Sequence, residues 1–461
     1  MKSPWIKNSD ESIKREMLRE IGVSSIEELF ADIPKEVRLN RLLNVGLKPN
    51  GEGVSEYEIL RLAKQIGREI GNYVIPPFAG IEVCYHFVPS IVKELMYRNE
   101  FYTAYTPYAP EINQGILQAL FEYQSIMAEL YGVEVVNASM YDGTTALAEA
   151  ARMALRITRR RKIIVSQGLT PIKKRVLKTW LSGIDVKLVE APLNRDGFTD
   201  VNALTGLVDG DTAAVIVETP NVFGVVEPRI SELANACHSK GALLIVFANP
   251  LLLGMVKPPG ELGADIVVGE GQPLGLGLFY GGSTLGILGT KRDLKFVRQL
   301  PGRLVGMTVT EDRSDLGYAL VLQTREQHIR RERATSNITT NSALMAIAAA
   351  IYLSWLGGDG LRRLSRSIAA RTAYLMELLK GIKGVSVLYE NSLHFMKVVV
   401  RFDSHDVQYV LRKVRERGVL CGSDLGKFDE SLRGLMSICV TEAHSKRDIE
   451  TLVNMLKEVL A

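Results

Sequence analysis

Five short apolar runs between residues 162 and 268 constrain the fold of this chain more than any other feature. They are Lys162-Ile-Ile-Val165, Val186-Lys-Leu-Val189, Ala214-Val-Ile-Val217, Leu243-Leu-Ile-Val-Phe247 and Asp265-Ile-Val-Val268. The runs do not alternate between apolar and polar residues, and the spacings between them leave room for helices. Strands that are apolar on both faces are typical of a parallel sheet covered by helices on both sides. We therefore expect an α/β domain with a mostly parallel sheet.

Several helices and one further strand are predicted around these runs. Gly281–Gly289 predicts an additional strand, antiparallel or at the edge of the sheet. A helix rich in Ala and Leu is expected from Gly143, with Asp142 as its cap. The other predicted helices of this part of the chain are Ser90–Arg98, Glu111–Tyr131, Lys173–Ser182 and Ile230–Lys240.

The two ends of the chain have a different organisation. Residues 1–75 contain two short helical patterns, Glu11–Ile21 and Glu56–Ile70, which predict an arm laid over the body or over a neighbour. After Gly357 the order is helix, strand, strand, helix, strand, helix, which indicates a small α+β domain. These elements are Leu361–Leu379, Val385–Tyr389, Met396–Phe402, His405–Arg417, Leu435–Val440 and Lys446–Leu460. The expected divisions are 1–75 for the arm, 76–356 for the large domain and 357–461 for the small domain.

The composition limits the classes of function. A net charge of +4 from 56 basic and 52 acidic residues is too balanced to indicate nucleic acid as the main partner. The longest apolar run, Ala343–Leu353, is shorter than the roughly 18 residues that a membrane span needs and predicts a buried helix. The N-terminus lacks a signal-peptide core, so we expect a cytoplasmic protein.

The four cysteines predict neither a zinc site nor a disulfide framework. Cys84, Cys237, Cys421 and Cys439 are widely separated and have no CxxC spacing. The expectation is therefore four reduced, buried thiols.

An aromatic, proline-containing segment is the strongest candidate for a functional loop. It reads Phe101-Tyr-Thr-Ala-Tyr-Thr-Pro-Tyr-Ala-Pro-Glu-Ile-Asn-Gln-Gly115 and runs into a predicted helix. Proline fixes φ and biases the preceding residue toward extended conformations, so the loop is stiff. It is either a packed corner of the core or a rigid pocket wall that presents phenol hydroxyls.

This loop and three further segments resemble one known family. FYTAYTPYAPEINQG resembles the FxTxYTPYQxExxQG segment of the glycine cleavage system P-protein, a pyridoxal-phosphate-dependent glycine decarboxylase. Asn137–Ala151 is similar to the family's NASMYDGATALAEA segment, and Leu322–Ile338 to its LQTREQHIRREKATSNI segment. Residues 21–34 are similar to the family's opening. The length is similar to that of the shorter subunit of a two-subunit P-protein, called subunit 1 or alpha.

The resemblance implies the fold-type-I pyridoxal-phosphate enzyme fold, with a large domain, a small C-terminal domain and an N-terminal arm. Enzymes of this fold use a Schiff-base lysine after the last parallel strand and a carboxylate that pairs with the pyridine nitrogen. Aligned with the family's LNLHKTF segment, the lysine position falls on Pro273 or Leu274, and Gln272 stands at the histidine position. The carboxylate position falls on Val246 or Phe247. The resemblance therefore implies no catalytic residue in this chain.

Other residues have two open interpretations. Ser139-Met-Tyr-Asp-Gly-Thr-Thr145 opens a helix, where backbone N–H groups bind anions, but Asp142 favours a simple helix cap. The remaining interpretation places Ser139 and Tyr141 at a subunit interface. Tyr85 and His86 precede a helix, where a lone histidine is either a structural hydrogen-bonding group or part of a pocket. Arg325–Arg333 is either a solvated helix face or an inter-subunit contact.

Two functions follow from the resemblance. In the first, a homologous subunit 2 supplies the lysine and most contacts to pyridoxal phosphate, and this chain completes that pocket with Tyr105, Thr106, Tyr108, His86, Ser139 and Tyr141. The assembled enzyme, expected as an α2β2 heterotetramer, would decarboxylate glycine and transfer the aminomethyl group to the lipoyl arm of the H-protein. The alternative is a structural or regulatory pseudoenzyme that only stabilises subunit 2. A third, an independent pyridoxal-phosphate enzyme such as an aminotransferase, is disfavoured because both cofactor-binding residues are missing.

Overall fold

The computed structural model describes residues 5–39, 41, 53–70, 73–104, 106–323, 326–334, 336, 338 and 342–461. The chain separates into two compact units, residues 1–72 and residues 73–461.

The first unit contains the two predicted helices. Helix α1, Glu11–Ile21, begins at Asp10, whose side chain accepts from the Ser12 amide, and ends at Gly22 with φ +87°. Helix α2, Glu56–Glu69, begins with a capping box between Ser55 and Glu58. Among the described residues of this unit, none is buried. Both helical predictions are confirmed.

The second unit contains twelve α-helices and thirteen strands among its described residues. The helices are α3 Ser90–Met96, α4 Asn99–Tyr102, α5 Gln114–Tyr131, α6 Gly143–Thr158, α7 Pro171–Leu181, α8 Val201–Leu207, α9 Ile230–His238, α10 Leu294–Val297, α11 Gln327–Arg330, α12 Ala343–Lys380, α13 Val407–Arg415 and α14 Lys446–Leu460. The strands are β1 Val135–Val136, β2 Lys162–Ser166, β3 Lys187–Ala191, β4 Thr212–Thr219, β5 Leu243–Ala248, β6 Ile266–Glu270, β7 Gly286–Thr290, β8 Val305–Val309, β9 Leu316–Leu320, β10 Val385–Val387, β11 Lys397–Phe402, β12 Ser423–Asp424 and β13 Leu435–Cys439.

The large sheet has seven strands in the order β1-β7-β6-β5-β4-β2-β3. Strands β2 to β6 are parallel, whereas β7 is antiparallel to both β6 and β1. All five predicted parallel strands are therefore confirmed. The additional strand predicted at Gly281–Gly289 is antiparallel and lies inside the sheet, because the two-residue β1 covers its outer side.

Helices cover both faces of this sheet and alternate residues of each strand enter different cores. In β5, Leu244 and Val246 pack with α5, α9 and α12, while Ile245 and Phe247 pack with α6 and α7. This alternation follows from the two-residue period of a strand. Because of this alternation, only Ile245 and Phe247 among these four side chains lie on the side of the sheet that carries α6.

A second, antiparallel sheet has the order β10-β11-β13-β12 and packs with α12, α13 and α14. Residues before α3 join this sheet, since the Phe78 amide donates to the Leu420 carbonyl at 2.8 Å and the Cys439 amide donates to the Phe78 carbonyl at 2.8 Å. The patterns Ala343–Leu353 and Leu361–Leu379 are both parts of α12, which is interrupted at Gly357 with φ +64°.

Helix α12 is long and apolar enough to cross a membrane by length and composition. Of its most apolar 18 residues, 56% are buried inside the protein. This burial is typical of a core helix, as the pattern Ala343–Leu353 predicted.

The cysteine prediction is wrong for two of the four residues. Cys84 and Cys439 form a disulfide with a Cα–Cα distance of 6.2 Å, whereas Cys237 and Cys421 are free and buried. The two bonded residues are 355 positions apart. Because one lies in an extended segment and the other ends a strand, sequence spacing does not indicate that they meet.

Removing the disulfide should lower stability without changing the fold. We expect the double variant Cys84→Ser/Cys439→Ser to lose about 3 kcal/mol of unfolding free energy, since the bond restricts the unfolded chain over a long loop. Denaturant titrations with and without reductant measure the effect. In reductant, the wild type should have the same free energy of unfolding as the variant, whose own stability should not change with reductant. Equal stability of the wild type and the variant without reductant would contradict the prediction.

Candidate functional site

A closed pocket lies at the carboxyl edge of the parallel sheet, where β4, β5 and β6 end. Ligand sites of open α/β sheets are found at this edge. The space left in the pocket is only about 20 Å³, which holds about one water molecule. Its lining residues are Glu82, Lys173, Glu218, Thr219, Pro220, Phe247, Asn249, Glu270, Pro273, Met396 and Lys397.

One residue of each pair considered for the lysine and carboxylate positions lines the closed pocket. Pro273 lines the closed pocket, whereas Leu274 is fully buried in the core with α5 and α12. Phe247 lines the pocket, whereas Val246 points to the opposite face of the sheet. Of the four residues considered, those that face the closed pocket therefore carry a pyrrolidine and a phenyl ring, neither of which is an amine or a carboxylate.

Charged side chains of the chain itself fill the closed pocket. The Nζ atom of Lys173, at the start of α7, lies 2.9 Å from Glu218 Oε1 and also pairs with Glu82. It lies 4.1 Å from the centroid of the Phe247 ring, a cation–π contact. Lys397 Nζ donates to the Ile81 carbonyl at 2.5 Å. We call these four charged residues, Glu82, Lys173, Glu218 and Lys397, the pocket ion cluster.

The ionisation of the pocket ion cluster follows from burial and pairing. Burial disfavours the ammonium of Lys173, but Glu218 and Glu82 outweigh it and raise the pKa of Lys173. Burial also opposes ionisation of Glu218, yet the charges of Lys173 and Lys397 lower its pKa. Burial raises the pKa of Glu82 and lowers that of Lys397. Lys173 is therefore a paired cation and a poor nucleophile.

Carboxylates of the chain occupy the start of α6, the segment considered above as an anion site. The Gly143 amide donates to Glu270 Oε2 at 2.8 Å, and the Thr145 amide donates to Asp142 Oδ1 at 2.8 Å. Glu270 also accepts from the Gln272 amide at 2.9 Å. A Cβ on Gly143 would lie 2.9 Å from the Phe247 ring, so no space remains there. The helix cap predicted at Asp142 is present.

The ionisation of Glu270 should make stability depend on pH. Burial raises the pKa of Glu270 to about 7, although three backbone N–H groups partly oppose the shift. Because the folded pKa exceeds the unfolded one, the free energy of unfolding should fall as the pH rises from about 4.5 to about 7, by at most about 3 kcal/mol. The variant Glu270→Gln should lack this loss. Its free energy of unfolding, relative to that of the wild type, should therefore be higher at pH 8 than at pH 5.

Denaturant titrations at pH 5 and pH 8 measure this difference. Glu232→Gln, at an exposed position on α9, is the matched control and should keep the pH dependence of the wild type. An unchanged pH dependence in Glu270→Gln would contradict the prediction.

None of the described residues of the aromatic loop lines the closed pocket, and side-chain hydrogen bonds hold the end of the loop in place. Asn113 Nδ2 donates to the Thr106 carbonyl at 3.1 Å. Gln114 bonds to both backbone groups of Tyr318 in β9, at 2.8 Å and 2.9 Å. The side chain of Gln124 bonds in the same way to Val305 in β8. The hairpin β8–β9, which the sequence patterns did not predict, therefore supports the loop.

The predicted residues of this loop differ in their surroundings. Tyr105 lies outside the described residues. Thr106 is exposed and Tyr108 is half-buried. The Arg303 guanidinium lies 5.0 Å from the centroid of the Tyr108 ring and pairs with Glu326. Burial lowers the pKa of Arg303, while Tyr108 and Tyr141 oppose that shift.

The other predicted residues also differ in their surroundings. Ser139 is fully buried, and its Oγ has no hydrogen-bond partner among the described residues. Tyr141 is partly exposed, and its carbonyl accepts from Thr284 Oγ1 at 3.2 Å. His86 is buried beside Glu442, at 2.9 Å. Within the described ranges, no three His, Cys, Asp or Glu side chains form a group that could hold a metal ion.

The sequence patterns did not indicate the pocket ion cluster, the bond of Glu270 to the start of α6, or the position of Arg303 beside Tyr108. A signal existed for Glu218 and Glu270, because each is an acidic residue at the end of an apolar strand. Lys173, Glu82 and Lys397 come from separate parts of the chain, and local patterns do not indicate that they meet.

Comparison with known proteins assigns the family. The family model for the glycine cleavage system P-protein matches residues 5–456. The chain belongs to this family. A protein of Saccharolobus islandicus named probable glycine dehydrogenase (decarboxylating) subunit 1 is 44% identical over 466 residues, covering 100% of this chain and 98% of its own. A crystal structure of glycine decarboxylase (P-protein) of the glycine cleavage system, in inhibitor-bound form, is 41% identical, with a TM-score of 0.87 and full coverage of both chains.

The P-protein family has the predicted fold. A sphingosine-1-phosphate lyase of Burkholderia pseudomallei, 15% identical, shares it with a TM-score of 0.62 over 89% of this chain and 91% of its own. The fold-type-I pyridoxal-phosphate enzyme architecture expected from the resemblance is therefore confirmed.

The closed pocket of this P-protein family member does not fit pyridoxal phosphate. Pro273 has no amine for the cofactor's aldehyde, and Phe247 has no carboxylate for its ring nitrogen. The Glu270 carboxylate already accepts the Gly143 N–H that would bind a phosphate. About 20 Å³ of space cannot hold the cofactor.

Proposed function

We propose that this chain is the subunit 1 of a two-subunit glycine dehydrogenase (decarboxylating) of the glycine cleavage system. It carries no cofactor of its own. A homologous subunit 2 supplies the lysine and most contacts to pyridoxal phosphate, and this chain completes that pocket across the interface. The assembled enzyme decarboxylates glycine and transfers the aminomethyl group to the lipoyl arm of the H-protein.

The closed pocket is the observation that carries this proposal. A fold-type-I chain whose ligand edge is filled by Lys173, Glu218 and Phe247 cannot perform cofactor chemistry there. Its full-length relatives are named as one subunit of a decarboxylating enzyme, which supports a partner that supplies the missing site.

The aromatic loop supplies the contribution of this chain. Thr106 and Tyr108 precede α5, and Asn113 and Gln114 hold the loop against β9. A loop fixed in this way can hold hydroxyl groups at set positions, orient bound glycine and exclude water. Such positioning lowers the barrier because the reacting groups are already aligned.

The assembly expected from this function is an α2β2 heterotetramer in the cytoplasm. Obligate pairs of this kind bury more than about 2,000 Å². The lipoylated H-protein would bind to the assembled enzyme and accept the aminomethyl group. Ser139 and Tyr141 are the further residues proposed near the interface.

Reconstitution tests the proposal. The purified chain, subunit 2 and their mixture are each given pyridoxal phosphate, and absorbance near the aldimine band and glycine–bicarbonate exchange are measured. The chain alone should show neither signal, and the mixture should show both. The variant Pro273→Lys alone should also fail to bind cofactor, because Lys173, Phe247 and Glu270 still fill the pocket.

Two results would overturn the proposal. One is absorbance and exchange by the isolated chain, which would make it an independent cofactor enzyme. The other is the absence of any complex with subunit 2 in sedimentation experiments.

A further inference from the structure

Arg303 lies where three separate segments of the chain meet. Its guanidinium pairs with Glu326 and lies 5.0 Å from the centroid of the Tyr108 ring. Its carbonyl accepts from the Ala138 amide at 2.8 Å. Tyr108, Ala138 and Glu326 belong to three of the segments that resemble the P-protein family, and these segments are far apart in the sequence. We call Tyr108, Arg303 and Glu326 the Arg303 junction.

The backbone around Arg303 is fixed on both sides. Before it, the fully buried side chain of Asn137 donates from Nδ2 to the Pro301 carbonyl at 2.9 Å. Gly302 has φ +77°, and a Cβ there would lie 2.8 Å from Asn137 Nδ2, so this close approach requires glycine. After it, both backbone groups of Val305 bond to a side chain of α5. The backbone therefore sets the direction in which the Arg303 side chain leaves the chain.

The surroundings of the guanidinium hold it in one orientation. The side chains of Arg303 and Glu326 are only 13% and 7% exposed, so little water competes for their hydrogen bonds. An arginine that is bonded to a carboxylate has a defined plane, because its donors are arranged as a rigid fork. The Tyr108 ring lies at cation–π distance from this group. An aliphatic side chain at position 303 would not supply an interaction with such a preferred geometry.

Stability alone does not explain a charged pair in this place. Replacing a buried ion pair with apolar residues of similar volume is often neutral or stabilising. A locked guanidinium instead gives the groups around it a defined direction. The group that it directs here is Tyr108, whose hydroxyl the proposed function assigns to the pocket of subunit 2.

We propose that Arg303 is a positioning residue for the reaction of the assembled enzyme. Held by Glu326, its guanidinium fixes the Tyr108 ring and thereby the hydroxyl that this chain contributes to the pocket of subunit 2. This inference rests on the proposed function, because the hydroxyl has a reaction to serve only in that assembly.

A double-mutant cycle in the reconstituted enzyme tests this role. Tyr108→Phe and Arg303→Met should each lower the turnover number of glycine–bicarbonate exchange about 10-fold, because a displaced group no longer aligns the substrate. The KM for glycine should change less than about twofold, since the loss affects the reaction step. The variant with both changes should also be about 10-fold slower than the wild type, because no hydroxyl is left for Arg303 to position. Arg303→Lys keeps the charge but not the planar fork and should be about threefold slower.

The control is Arg298→Met, at an exposed arginine close to the junction in the sequence, which should have wild-type turnover. Thermal unfolding of each full-length variant and sedimentation with subunit 2 check folding and assembly. If Arg303→Met does not fold, Glu326→Gln replaces it in the cycle, since glutamine keeps the size of the side chain and an acceptor but removes the charge that holds the guanidinium. The expected pattern is the same.

Three results would overturn the positioning role and leave the proposed function intact. One is a variant with both changes that is about 100-fold slower, the product of the single effects, because Arg303 would then act independently of the Tyr108 hydroxyl. Another is wild-type turnover in either single variant. The third is a weaker complex with normal turnover once assembled, which would make Arg303 an assembly contact. No complex between the wild-type chain and subunit 2 would overturn the proposed function itself.

Discussion

Replacing Lys173 by methionine is expected to lower the free energy of unfolding by about 3 to 5 kcal/mol. Methionine keeps much of the length of the side chain but removes the charge that pairs with Glu218 and Glu82. Two buried carboxylates would then lack their main counter-ion, and the cation–π contact with Phe247 would be lost. Denaturant titration at neutral pH measures the change.

The matched control is Lys178→Met on the same helix, where the lysine is exposed. It should change stability by less than about 0.5 kcal/mol. Adding Glu218→Gln to Lys173→Met should recover part of the loss, because one uncompensated charge is then removed. A loss below about 1 kcal/mol in Lys173→Met would show that the pocket ion cluster does not stabilise the closed pocket.

Removing two phenol hydroxyls from the aromatic loop is expected to lower turnover of the assembled enzyme about 100-fold. The variant is Tyr105→Phe/Tyr108→Phe, which keeps the rings and the contact of Tyr108 with Arg303. Loss of groups that orient the substrate reduces the rate far more than it reduces assembly, and displacements of about 1 Å cost this much. Glycine–bicarbonate exchange of the reconstituted complex measures the effect.

The control for this experiment is Tyr102→Phe, an exposed tyrosine in α4 at the start of the same segment. It should have wild-type turnover. If Tyr105→Phe/Tyr108→Phe also assembles and turns over normally, the chain acts as a scaffold for subunit 2, which is the alternative that the sequence left open.

Local patterns predicted most of the helices and strands but missed one hairpin and the disulfide. The β-branched runs predicted β2 to β6, and helical periodicity predicted α1, α5 and α14. The hairpin β8–β9 was missed because its strands are half-exposed and contain glycine, so they lack a strong apolar signal. The Cys84–Cys439 bond was missed because the sequence separates its two ends by most of the chain.

The candidate site was predicted in part. Alignment with the family placed the missing lysine on Pro273 or Leu274 and the missing carboxylate on Val246 or Phe247. The direction of each side chain depends on the packing of the strands in the sheet, and it brings Pro273 and Phe247 to the closed pocket and Leu274 and Val246 into the core.

By itself, the sequence determined the layered α/β fold and the family, because both depend on which residue types occur in which order. Only the tertiary structure decided that Glu82, Lys173, Glu218 and Lys397 meet in one pocket and that Glu270 caps α6. The physical reason is that the pairing and burial of charges depend on distances between segments, which chain order does not specify.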